Sequence, residues 1–453
     1  MSDNTPRTRI LVRSAQATNA NLAPLKSISF IGANQGNLLY QFSVCRALQS
    51  QAADVSTTTY ARFERGHPHE RAEWINSEFD HLVLPLSSSF RLQMIDTLRD
   101  WTDLVERLTI PVTIVGIGAQ LRLADAESGN YRPSRVTGAT ANADKSAAHE
   151  QVVRRFVQAV LDRSASIGVR GEISKKYLTY LGFPEDQIDV IGCPSLFMWG
   201  PDWRMPHSRG GPLGKSSRLS LSYDHRISET AWLMEQAVSE FPKLTVYVQE
   251  KLAARMVITG EETRPNWAGD RRFPVYTSHP LYQGHRLVYY PTAWSWIRYL
   301  GSMDFAFGPR LHGTVAAILA GTPAHLLSHD SRTLEIAEHH HLPYTRVDQL
   351  VQGTTVKEIA ARADYSAFNQ AYPELHARFL AFLTRNGLPN AYDGTPNTLA
   401  AFDAATKPAE QARGVVSNSS SRTPRELLDD QARRIAGKAR AIMMGQGSRK
   451  GSR

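Results

Sequence analysis

The stretch FAFGPRLHGTVAAILAGTPA, residues 305–324, reads as a buried strand running into a slim helix. Phe305 to Phe307 form a short apolar run behind Asp304, and Gly308 with Pro309 break it. From Leu311 the spacing predicts a helix, narrowed by Gly313, Ala316, Ala317 and Ala320 and stopped by Gly321 and Pro323. A strand feeding a helix in this way is the repeating unit of a parallel α/β sheet. The first amides of such a helix have no intrahelical partner and carry the positive end of its dipole, so the junction suits a phosphate or carboxylate. Arg310 adds a permanent, bidentate cation there, and His312 adds a side chain that exchanges protons near neutral pH. A helix-capping histidine beside a surface ion pair is the other reading of the same two residues.

Outward from this stretch the same alternation recurs. Strands are expected at 27–32, 81–86, 111–118, 165–169 and 188–192, with helices at 37–50, 90–107, 146–162 and 172–181. These make an N-terminal domain over 27–200, behind a polar arm at 1–26. Residues 121–144, rich in Gly, Ser, Ala and Asn, read as a mobile loop. GPDWRMPHSRGGPLGKSSR (200–218) reads as an interdomain linker, placed at 201–217. Beyond it, strands are expected near 218–223, 244–249, 287–290, 303–307 and 324–328, with helices near 229–240, 293–300, 311–320 and 333–340. That gives a second domain over 218–400, with helices in 355–387 completing it or crossing back. The expected fold is α/β: two Rossmann-like, doubly wound domains facing a cleft in a glycosyltransferase-B-like arrangement. Ligands of such sheets bind beyond the carboxyl ends of the strands, where Asn34, Arg170 and Arg310 all fall in this reading.

Four ordered segments together resemble the polysaccharide pyruvyl transferase family. They are ISFIGANQGNLLYQ (28–41), with Asn34, Gly36 and Asn37; SIGVRGEISKKYLTYLG (166–182), with Val169, Arg170 and Ser174; Arg310-Leu311-His312-Gly313 with Ala316 and Gly321-Thr322-Pro323; and HDSRTLEIAEHHHLP (329–343), with Arg332 and Glu335. One departure is Cys193 before Pro194, where many members carry an acidic residue. The resemblance implies phosphoenolpyruvate as donor and a cyclic pyruvate ketal on two sugar hydroxyls as product. It assigns the donor anions to Arg310, Arg170, Leu311 and Gly313, the proton for the methylene carbon to His312, and the acceptor to Asn34, Gly36 and Asn37. Arg310 and His312 are then catalytic, with Glu335 or a second histidine as the base for ring closure. An ion pair with Glu172 or another carboxylate is the other reading of Arg170. Phosphoenolpyruvate is a co-substrate, and no cofactor or metal is expected.

His339, His340 and His341, with His325 and His329 nearby, invite a zinc site, but consecutive histidines diverge on a helix, and a helix end before Leu342-Pro343 accounts for them better. Tyr289-Tyr290, Trp294 and Trp296 offer either a sugar-stacking face or core packing.

The net charge of +9 is concentrated at the end of the chain: Lys407–Arg453 holds eleven Lys/Arg against four Asp/Glu, a net of +7. The remaining +2 gives no reason to expect nucleic acid as a partner. In the tail 401–453, Thr423-Pro424-Arg425-Glu426 opens a basic amphipathic helix over 424–443, suited to peripheral contact with an anionic membrane or to docking on a domain. Two distant cysteines, Cys45 and Cys193, and no apolar leader or spanning run predict a cytoplasmic protein, peripheral at most to the inner membrane face. The partner is then a glycan or a lipid-linked sugar. Two other functions fit the same architecture: a nucleotide-sugar glycosyltransferase, and a non-catalytic glycan-binding protein.

Overall fold

The computed structural model describes residues 6–131, 143–206, 212–262, 270–394 and 398–417. The first sheet is built from β1 (Thr8–Ser14), β2 (Ala53–Thr59), β3 (His81–Pro85) and β4 (Val112–Val115) in the order β2-β1-β3-β4, all parallel. Past β4 the chain bridges Ile117 to Val169, so β5 (Ile167–Val169) and β6 (Ile188–Val190) continue the same parallel layer. The strand order therefore reverses between β1 and β3.

The second sheet contains β7 (Leu219–Leu221), β8 (Thr245–Tyr247), β9 (Leu287–Tyr289), β10 (Phe305–Gly308), β11 (Ala324–Ser328), β12 (Tyr344–Arg346) and β13 (Val415–Val416). Its order is β12-β11-β10-β7-β8-β9-β13, parallel except for β13 at the edge. Without β13 this is the doubly wound dinucleotide-fold order, with its switch point between β7 and β10. Arg310 lies two residues past β10, so the strand-to-helix junction 305–324 sits at that switch point. Gly308 makes the turn possible: its φ is 138°, and a Cβ there would collide with the Ser222 carbonyl beyond β7.

The N-terminal segment departs from expectation. Residues 27–32 hold the end of a short helix, Pro24–Ser27, and a turn. The first strand is instead Thr8–Ser14, inside the supposed polar arm, and it lies at the centre of its sheet. Ile10, Leu11 and Val12 are buried, while the arginines beside them find carboxylates at the strand ends: Arg9 pairs with Asp80 at 2.8 Å and Arg13 with Glu64. Asn34 thus follows a helical turn, not a strand. The loop around it reaches the cleft by docking on the other domain, Gln35 N donating to Gln249 O at 2.9 Å and Lys251 N to Ala33 O at 3.1 Å.

Residues 123–127 of the expected loop form a short helix and another helix begins at Ala143; 132–142 lie outside the described residues. The predicted helix 424–443 also lies outside them. Residues 400–417 are docked on the second domain, where Val415 and Val416 pair with β9 and Thr292 Oγ1 donates to Ala409 O at 2.7 Å.

The two domains are bound across a broad apolar seam. Helix Gly36–Ala47 is buried along nearly its whole length and packs on helix Leu311–Leu319. The long helix Ser366–Arg385 returns to the first domain, where Tyr372 Oη donates to Leu196 O at 3.1 Å and Asn386 just past its end donates to Ser166 Oγ at 3.1 Å.

Candidate active site

Between the two sheets lies a basin of about 430 Å³. Six arginines line it: Arg13, Arg91, Arg170, Arg226, Arg310 and Arg332, together with Asn34, Asn37, Leu311 and His312. Glu64 and Glu250 are the acidic residues on its wall. The chain places the basin beyond the carboxyl ends of β1, β3, β5, β7 and β10, where parallel sheets leave unfilled space.

The two arginines singled out by the sequence differ sharply. Arg310 is held by carboxylates: it pairs with Glu250, lies 3.3 Å from Asp224, and donates from Nε to Tyr223 O at 3.1 Å. Asp224 is buried, yet Arg310 and the bidentate Arg226 outweigh that burial and hold its carboxyl well below the usual range. Arg170 follows β5 and is 0% exposed. Its Nε donates to Gly116 O at 2.8 Å and its guanidinium carbon lies 5.2 Å from the Tyr40 ring centre. Both Nη atoms lack a hydrogen-bond partner among the described residues. A buried guanidinium with idle donors is costly in an empty protein and suited to one that receives an anion. The alternative ion pair with Glu172 is not formed.

His312 forms part of the basin floor, one residue into the helix that Arg310 caps. Burial, helped by Arg170 and Arg332, depresses its pKa to about 3, and its Nε2 has no partner among the described residues. The imidazole is therefore neutral at pH 7 in the empty basin, which departs from the expectation of a ready proton donor. Gly36 presses its backbone on this ring, and a Cβ there would collide with Nδ1. Gly36 thus sets the position of His312.

Glu335 is not among the residues lining the basin. It sits behind Arg170, 2% exposed, accepting from Ser174 N at 2.9 Å and Ser174 Oγ at 2.8 Å across the domain boundary. Burial raises its pKa to about 8. Its geometry makes it a strut between helix Glu172–Tyr180 and helix Ser331–His339, in place of the expected base. Gly313 also stands back, where a Cβ would come within 2.8 Å of Gln249 Nε2. Asn34 and Asn37 line the basin while bracing their own loop: Asn34 Oδ1 accepts from Gly36 N at 2.8 Å and Asn37 Nδ2 donates to Ile31 O at 3.0 Å.

Sequence reasoning did not place Arg13, Arg91, Arg226, Glu250 or Arg332 in the site. Arg332 had a signal, since with Glu335 it opens the helix of the fourth resembling segment. It lies 3.3 Å from Asp330 while its Nε lacks a partner among the described residues. Asp224, His225 and Glu250 place ligand-type atoms within 4.8 Å of one another, the spacing of a metal seat, but both carboxylates already hold guanidinium groups of Arg226 and Arg310. His340 accepts from Cys193 N at 2.8 Å and is buried at the domain seam, so that histidine serves packing and not zinc. Trp296 stacks on Tyr247 at 4.5 Å and Trp294 packs on Phe42 and Trp199, which makes these aromatics core.

Among the curated proteins searched, none matches the sequence. The putative UDP-N-acetylglucosamine 2-epimerase from Listeria monocytogenes is 13% identical at a TM-score of 0.40, with 90% of this chain and 97% of that one covered. The UDP-GlcNAc 2-epimerase of Methanocaldococcus jannaschii is 11% identical at 0.40, covering 83% and 99%. The glycotransferase of kitacinnamycin is 10% identical at 0.38, covering 88% and 99%. Nothing about the site follows from likeness this distant, and the fold stands on the strand orders themselves. The described helices include none long and apolar enough to cross a membrane. The family model for polysaccharide pyruvyl transferase matches residues 103–331, just over half of the 453-residue chain and a span that holds Arg170, Arg310 and His312; the chain belongs to this family of polysaccharide-modifying transferases.

Proposed function

We propose that the basin binds phosphoenolpyruvate and that the chain transfers its pyruvyl group to two hydroxyls of a glycan or lipid-linked sugar, leaving a cyclic ketal. The observation that carries this reading is the pair of idle Nη donors of buried Arg170 in the same basin as His312. A donor with both a phosphate and a carboxylate needs at least two fixed cations. Arg170 and Arg310 fill that role, Arg332 adds a third, and Leu311 supplies the start of the helix whose positive end faces the anion.

The anion also resolves the state of His312. Part of what keeps the imidazole neutral is the positive potential of Arg170 and Arg332. A bound phosphate and carboxylate oppose that smaller part, burial being the larger, and in this reading the donor arrives with the proton that His312 passes to the methylene carbon. Acid assistance of this kind is worth about 10²–10⁴ in rate. Asn34 and Asn37 stand on the basin wall with His312 and border the donor there. No resident cofactor or metal enters this chemistry, and the reaction belongs in the cytoplasm, where phosphoenolpyruvate is available.

Calorimetric titration at pH 7, in two buffers of different ionisation enthalpy, tests the reading. Phosphoenolpyruvate is expected to bind with net proton uptake, and His312→Gln to bind it without uptake. Binding of UDP-N-acetylglucosamine with no binding of phosphoenolpyruvate would overturn the proposal in favour of a nucleotide-sugar glycosyltransferase.

A further inference from the structure

Beside the arginine basin opens a second cavity of about 400 Å³, within the range of small-molecule sites. Gln120 and Arg226 line both cavities, so the Asp224–Arg226 ion pair stands between them. Its chemistry is unlike that of the basin. Where the basin collects arginines, this wall mixes Gln120, Arg122, Glu229 and Asp348 with Leu123 and Ile227, a lining of donors, acceptors and aliphatic carbon with little net charge. Such a lining suits a neutral, hydroxyl-rich ring and gives no reason to hold a phosphate.

One group here is not used by the donor chemistry. His329 lines the second cavity, is nine-tenths buried, and lies with Nε2 3.6 Å from Asp330 Oδ2. Asp330 is itself fixed: it caps helix Ser331–His339, accepts from Gln120 Nε2 at 2.9 Å, and faces Arg332. The carboxylate favours the proton on Nε2, which leaves the lone pair on Nδ1, and Nδ1 has no partner among the described residues. Asp224, Arg310 and Arg332 are the other charges facing this ring.

We infer that the second cavity holds the acceptor sugar and that His329 takes the proton of its attacking hydroxyl, an inference that rests on the pyruvyl-transfer reading above. The acceptor oxygen bonds to C2 of the enolpyruvyl group as its proton passes to His329, and the methylene carbon gains a proton from His312 and becomes a methyl group. The bond between C2 and the phosphate oxygen then breaks, and the second hydroxyl adds to C2 with loss of its proton. Of the two hydroxyl protons, one restores His312 and the other leaves with phosphate. An imidazole beside a carboxylate is a recurrent general base for a hydroxyl.

The test uses the full chain, with methyl gluco-, galacto- and mannopyranoside as probes by saturation-transfer NMR and phosphoenolpyruvate by calorimetry. At least one pyranoside is expected to bind the native protein. Ala124→Trp, which fills the cavity from an exposed position of the short helix Leu123–Glu127, is expected to weaken that binding at least tenfold and leave phosphoenolpyruvate within twofold. No pyranoside binding, or binding that Ala124→Trp leaves intact, overturns the acceptor site. His329→Gln is expected to keep both ligands and to lower kcat for phosphate release on the bound pyranoside at least 100-fold with KM for phosphoenolpyruvate unchanged. An unchanged kcat, or no release by the native protein with both ligands bound, overturns the role of His329. Pyranoside binding without phosphoenolpyruvate binding marks a different failure, that of the pyruvyl-transfer reading itself.

Discussion

The two walls of the basin present the same residue type in opposite states. On the C-terminal wall Arg310 sits between Asp224 and Glu250, its charge balanced within its own domain. On the N-terminal wall Arg170 has a carbonyl and a phenol ring for company and two idle Nη groups. Both stand at the carboxyl end of a parallel strand, so topology does not separate them; the neighbours do. Arg310 belongs to a framework that exists without ligand. Arg170 is a cation kept waiting, at a cost to the empty protein, and function settles at such places.

Substitution by methionine, which keeps the aliphatic stem, turns this contrast into measurements. Arg170→Met removes two charge-assisted donors, each worth about 1.5–3 kcal/mol, so phosphoenolpyruvate affinity is expected to fall on the order of 100-fold or more by calorimetry. The same variant is expected to unfold at or above the native midpoint, because it removes an unpaired buried charge. A drop in both affinity and stability would break the comparison and make Arg170 structural. Arg310→Met carries the opposite sign in stability. Breaking a buried pair costs about 3–5 kcal/mol. Arg226 stays on Asp224 here, so about 2 kcal/mol is expected in denaturant unfolding, with a smaller loss of affinity than for Arg170→Met. Equal losses of affinity would show that pairing does not decide which arginine meets the ligand.

How much of this was legible follows the same physics. Five strands of the second sheet were readable because they are short apolar runs punctuated by Gly and Pro, as in Phe305–Gly308, whereas the polar Tyr344–Arg346 and the two-residue Val415–Val416 were not expected. The first strand was not, because Thr8–Ser14 carries two arginines whose partners, Asp80 and Glu64, are far off in sequence. The edge strand Ala53–Thr59 alternates with threonines and few apolar residues, which hides it equally well. In the site, Arg170, Arg310 and His312 were found because each lies within a recognisable strand-to-helix junction. Arg13, Arg91 and Arg226 have no such local mark; only the folding of two sheets toward one basin groups them. Glu335 was located in sequence but misread in role, since nothing local tells a carboxylate that faces a cavity from one that caps a helix of the other domain.

Glu335 gives the sharpest test of that strut. Its carboxyl titrates at about 8 in the folded protein because burial opposes ionisation, against an ordinary carboxylate value near 4.3 when unfolded. A raised folded pKa means the folded state holds a proton that the unfolded state releases. The stabilisation is therefore complete below the unfolded pKa, declines as pH rises between the two values, and is lost by the time pH passes the folded one. Glutamine matches the protonated form: its carbonyl accepts from Ser174 N and its amide donates to Ser174 Oγ, in place of the two bonds now made by the carboxyl. Native protein and Glu335→Gln are expected to unfold together near pH 4, and the variant to become the more stable of the two as pH approaches 9. The effect grows with pH because the variant has no proton to lose. Parallel midpoints across that range would mean that Glu335 is ionised in the fold, facing Arg170 as a partner. Arg170 would then no longer be the waiting cation of the N-terminal wall.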